Sequence, residues 1–98
     1  MVKEVIWSQK ADRELARMLS YLQDEISEQA AERLIAAIDK RIEQLKKQPE
    51  IGRRVLNKQT VCYLLVTKHR QMFYRLNGTT LHITAFFDTR QNPNKRPY

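Results

Sequence analysis

The sequence predicts an α+β fold in the order β-α-α-β-β-β, a helical hairpin packed on a small antiparallel sheet. Three observations lead there. Two apolar stripes at helical spacing follow one another through the first half of the chain. A continuous apolar run, Val61 to Val66, has the length of a buried strand. Two further apolar-rich runs flank Asn77-Gly78, a strong short-range signal for a hairpin. At 98 residues with 42% hydrophobic content, the chain is one domain, 1–98, and is too apolar to be disordered.

The elements follow in order. Residues 2 to 7 are short and rich in β-branched and aromatic types, which suits a strand. Ser8 can cap a helix by accepting a hydrogen bond from a first-turn amide, and Ala11, Leu15, Met18, Leu22 and Ile26 line one stripe of it. Ser27 is the cap for a second helix, whose stripe is Ala31, Leu34 with Ile35, Ile38, Ile42 and Leu45. Lys46 and Lys47 sit well against the negative end of its dipole, and Pro49 and Gly52 stop it. With so few residues between them, the helices double back on one another. The hairpin strands run from Arg70 to Leu76 and from Thr80 to Phe87. Centring the turn on Asn77-Gly78 sets Tyr74 against Leu81, Phe73 against His82, Met72 against Ile83, Arg70 against Ala85 and His69 against Phe86. Residues 88 to 98, with Pro93 and Pro97, read as an irregular tail.

A single cysteine, Cys62, excludes a disulfide framework, and two histidines, His69 and His82, are too few for a structural zinc site. No metal and no cofactor are expected. Inside an apolar strand, Cys62 reads as a small hydrophobe, and His82 as a sheet-packing residue. The N-terminal apolar stretch is shorter than a signal-peptide core, and no segment reaches the ~20 apolar residues that span a bilayer. A cytoplasmic setting with no membrane partner is expected.

Charge is divided unevenly. Residues 1 to 50 hold nine basic and ten acidic side chains, whereas residues 51 to 98 hold nine basic and one acidic, Asp88. One cationic surface facing a polyanion, or an acidic protein imitating one, is the expectation. Its candidate residues are Arg53, Arg54, Lys58, Lys68, Arg70, Arg90, Lys95 and Arg96. Arg70 opens one hairpin strand and Arg90 follows the other, so both belong at the end remote from the turn. There two guanidinium groups can clamp an oxyanion. Arg75 adjoins the turn and is a poor partner for them. Taken alone, each arginine reads first as a solvated strand end or a partner for Asp88.

The segment Lys68-His69-Arg70-Gln71-Met72-Phe73-Tyr74-Arg75-Leu76 and the ending Phe86-Phe87-Asp88-Thr89-Arg90-Gln91-Asn92-Pro93 resemble the RelE/ParE superfamily of bacterial toxins from type II toxin-antitoxin modules. Element order extends the resemblance over essentially the whole chain. It implies a plasmid-stabilisation toxin that associates with a cognate antitoxin. RelE-like members cut messenger RNA on the ribosome without metal, and ParE-like members poison DNA gyrase. For an endoribonuclease, the resemblance implies Arg70, Arg90 and Tyr98 as catalytic residues. Metal-free cleavage also needs a base and an acid. Strand alternation puts His69 on the face opposite Arg70, leaving Tyr63, Tyr98 and Asp88. The strand Val61 to Val66 lacks the lysines that RelE-like nucleases tend to carry there. The expectation is therefore a ParE-like toxin inhibiting a gyrase- or translation-type target. The alternatives are a RelE-like endoribonuclease and a non-toxic basic nucleic-acid-binding module.

Overall fold

A computed structural model describes residues 2–98 apart from the side chain of Gln59. Strand β1 (Glu4–Trp7) leads into helices α1 (Gln9–Glu25) and α2 (Glu28–Lys47), then a short 3-10 turn (Pro49–Ile51). Strands β2 (Arg53–Val55), β3 (Lys58–Thr67), β4 (Arg70–Asn77) and β5 (Thr80–Asp88) follow, with a second 3-10 turn at Pro93–Lys95 in the tail. The α+β class and the helical hairpin on a sheet are as expected. The sheet is larger and mixed: its order is β1-β5-β4-β3-β2, and β1 runs parallel to β5 while the other pairs are antiparallel. The added strand, β2, folds back on β3 through Leu56-Asn57. Asn57 carries the turn at φ 68°, a left-handed conformation asparagine accepts more readily than most residues.

Both serine caps form. Ser8 Oγ accepts from the Ala11 amide at 2.9 Å and Ser27 Oγ from the Ala30 amide at 3.0 Å. Ala11, Leu22, Ala31, Leu34, Ile38, Ile42 and Leu45 are buried as the stripes require. Ile26 and Ile35 are not: Ile26 caps the end of α1, where the chain turns toward α2, and Ile35, beside buried Leu34, lies exposed. The helices cover one sheet face, packing on Met72, Tyr74, Leu81, Ile83 and Phe86. A second, smaller cluster of Val55, Val61, Phe73, Ala85 and Phe87 lies on the outer face.

The β4–β5 register differs from the expected one in two steps. The turn residues are Gly78-Thr79, so Asn77 pairs with Thr80, Leu76 with Leu81 and Tyr74 with Ile83. Only Gly78 takes a positive φ, +62°, which suits a turn with glycine in its first central position and spares Thr79 a left-handed backbone. Then Thr84 is bulged out, since Tyr74 pairs with Ile83 but Phe73 with Ala85. Past the bulge, Met72 meets Phe86 and Arg70 meets Asp88, instead of Ile83 and Ala85. His69 lies in the β3–β4 turn instead of opposite Phe86, and its carbonyl accepts from the Thr89 amide at 2.7 Å.

Tyr74 ties the end of α2 to the sheet. Its ring is fully buried, and its hydroxyl donates to the Pro49 carbonyl at 3.0 Å and accepts from the Gly52 amide at 2.9 Å. A Cβ on Gly52 would lie 2.7 Å from Tyr74 Cε1, so glycine is required by this close approach. Burial first, then the neighbouring Cys62, pushes the phenol up to about 12. Tyr74→Phe should cost ~1–3 kcal/mol in denaturant unfolding, because it leaves two turn groups without their partner. Since the folded phenol titrates above its unfolded value near 10, its contribution is complete below pH ~10 and should fade as pH rises toward 12. Ultraviolet titration should show one of the four tyrosines ionising late.

Candidate functional site

The bulge decides what faces the helices at the open end of the sheet. It turns Phe86 and Asp88 toward α1, on the side that Arg70 shares with Met72 and Tyr74. A cavity of about 400 Å³ opens there. From α1 it takes Glu14, Arg17, Met18 and Tyr21, which recur at helical spacing along one face. From the sheet it takes Arg70, Phe86 and Asp88, and from the tail Arg90 and Lys95. Arg70 and Arg90 thus share one cavity despite twenty intervening residues.

Their states differ. Arg90 is closed onto Asp88: its Nε and backbone amide donate to Asp88 Oδ1 at 3.0 and 2.9 Å, and its Nη2 to Oδ2 at 2.7 Å. The plainer role, a partner for Asp88, is the one this arginine adopts. Arg70 has no such partner, and its Nε is buried without an acceptor among the described residues. Glu14 is occupied elsewhere, since its Oε1 accepts from the Phe86 amide at 3.0 Å and steadies the strand just past the bulge.

Tyr98 is on the other side of the sheet. Its ring lies 5.1 Å from that of Phe73, and its hydroxyl donates to Thr84 Oγ1 at 3.0 Å. Arg96 accompanies it, 5.2 Å above the Tyr63 ring and 5.6 Å from that of Phe73. Arg53 and Lys68 line a second cavity of about 610 Å³, together with Arg41 and Tyr63. Arg54 stands opposite Cys62, and Lys58 begins β3 opposite Val55, at the end of that strand remote from Thr67. The candidate cations therefore occupy both faces and both ends of the sheet, not one continuous surface. Sequence reasoning missed Glu14, Arg17 and Tyr21 of α1 and Arg41 of α2. The first three flank the apolar stripe at the same helical step as Met18, which is the signal that could have found them. No three metal-ligating side chains gather among the described residues, and no helix there is long and apolar enough to cross a membrane.

A helical hairpin on one face of a five-stranded sheet is a fold shared with small bacterial toxins of known structure. A YoeB/ParE toxin from Agrobacterium tumefaciens superposes with a TM-score of 0.65 at 14% identity, covering 88% of this chain and 98% of that one. The chromosomal ParDE system of P. aeruginosa gives 0.63 at 17% identity, covering 89% and 96%. The YoeB dimer from Staphylococcus aureus gives 0.62 at 11%, covering 87% and 94%. No curated protein sequence matches. The family model described as the ParE toxin of the type II toxin-antitoxin system, parDE, matches residues 5–93. The chain belongs to that family, within the RelE/ParE superfamily.

Bonds from Arg90 hold the Asp88 carboxyl below the usual carboxylate range, with Arg70 adding to the effect. A carboxyl with a depressed folded pKa stabilises above its unfolded value and loses that contribution as pH falls through the folded one. A carbon-13 titration should therefore find Asp88 ionising below ~3.9, and Arg90→Gln should move it upward.

Proposed function

We propose that this chain is a ParE-like toxin that acts by binding and inhibiting a gyrase- or translation-type target, and that a cognate antitoxin silences it through a toxin-antitoxin complex. The separation of Tyr98 from Arg70 and Arg90 by the thickness of the sheet carries this reading. Metal-free RNA cleavage needs cations at the developing phosphorane and an acid and base within hydrogen-bond reach of the same phosphate. Arg90 has committed Nε and Nη2 to Asp88, and the Tyr98 hydroxyl is bound to Thr84 on the outer face. Binding and inhibition make no demand for those groups to meet. Family membership supports the toxin class.

A metal-independent, ribosome-dependent endoribonuclease is the second reading, favoured by the cavity that Arg70 and Arg90 share. The two readings part on one substitution. Induced alone in bacteria, the chain should arrest growth, co-expression of the antitoxin should restore it, and Tyr98→Phe should leave the arrest intact. Purified, it should inhibit gyrase supercoiling or cell-free translation while messages stay whole. Messages cut within codons, with cutting reduced ~100-fold or more in Tyr98→Phe, would establish the endoribonuclease instead. Unimpaired growth with folded protein would leave only a basic binding module.

A further inference from the structure

We infer that the cavity between α1 and the open end of the sheet receives a single carboxylate, presented beside an apolar side chain on an acidic peptide segment of a partner protein. This rests on the reading that the chain works by binding proteins. Four cations, Arg17, Arg70, Arg90 and Lys95, meet two carboxylates there, Glu14 and Asp88. Both carboxylates are already engaged, Glu14 by the Phe86 amide and Asp88 by Arg90. Arg17 and Lys95 form no ion pair among the described residues, and Arg70 Nε is buried with no acceptor. A buried guanidinium N–H without an acceptor is a costly exception in a folded protein, and a turn of the Arg70 side chain toward an incoming oxyanion removes it.

The rest of the cavity selects which oxyanion. Met18, Phe86 and the half-exposed ring of Tyr21 supply an apolar wall beside the guanidinium groups. Glu14 and Asp88 offset two of the four positive charges, so the surplus suits one anionic group and not a succession of phosphates, and a nucleic-acid backbone is poorly served there. One planar carboxylate meets a guanidinium edge in matched geometry, and the adjoining apolar side chain covers the wall.

The protein carries its own reporter. Trp7, the sole tryptophan, packs against Phe86 with ring centroids 5.6 Å apart, so filling the cavity should perturb its emission. The full chain would be titrated with acetyl-Leu-Glu-amide, its glutamine counterpart, inorganic phosphate and a short single-stranded RNA. A saturable change with the glutamate peptide is expected, weaker by about tenfold or more for the glutamine peptide. Arg70→Gln should abolish the response. Arg17→Gln, on an exposed turn of α1, should weaken it several-fold and serves if Arg70→Gln does not fold. Arg75→Gln, the same charge change at the remote end of β4, should leave it unchanged. The inference is overturned if both peptides bind alike, if Arg17→Gln binds as the parent does, or if phosphate or RNA binds more tightly than the glutamate peptide. Growth arrest without peptide binding would sink this inference alone, whereas peptide binding without arrest would sink the toxin reading.

Discussion

The extra residue at Thr84 is the constraint on which the helix-side cavity depends. Without it, alternation along β5 would send Ala85 and Phe87 toward the helices and Phe86 and Asp88 to the outer face. With it, Phe86 joins the main core and Asp88 comes opposite Arg70. The irregularity is pinned on three sides. Ser8 Oγ donates to the Thr84 carbonyl at 2.9 Å, Tyr98 donates to its hydroxyl, and Glu14 takes the amide of Phe86. One serine thus serves as the cap of α1 and as a fastener on the sheet, so the helix start and the strand irregularity are fixed together.

This is also where the sequence was least legible. The helices were readable to the cap, because Ser8, Ser27 and their apolar stripes act within a few residues of one another. The hairpin was readable as a hairpin, but its register was not. Asn77-Gly78 and Gly78-Thr79 are both plausible turn centres, and the bulge is held by Ser8 and Glu14, far away in the chain. The short β2 gave no strand signal of its own, with two arginines and one valine, and owes its place to Asn57 and the β3 edge.

The candidate site was legible in the same proportion. That Arg70 and Arg90 meet followed from the hairpin alone and holds despite the wrong register. That Arg90 pairs with Asp88, two residues away, was open to the sequence, whereas the placing of Arg70 opposite Asp88 depended on the bulge. The arrangement with Tyr98 rested on resemblance, and the tail sets that ring against Phe73 and Thr84 on the outer face. Counting charges by sequence half located the cations but not their faces. The two cavities each draw on a helix from the near-neutral first half, through Arg17 in one and Arg41 in the other.

The parallel pairing of β1 with β5 bears on how the molecule comes to exist during synthesis. Ser8 and the carbonyl it grips lie 76 residues apart, and closing such a loop is slow compared with forming helices or a tight turn. As the chain leaves the ribosome, β1 and both helices emerge well before the strands that cover their apolar faces. The arginine-lined opening is incomplete until β5 and the residues just past it have emerged. Until those residues are out, the nascent polypeptide lacks the feature by which the finished one is proposed to act.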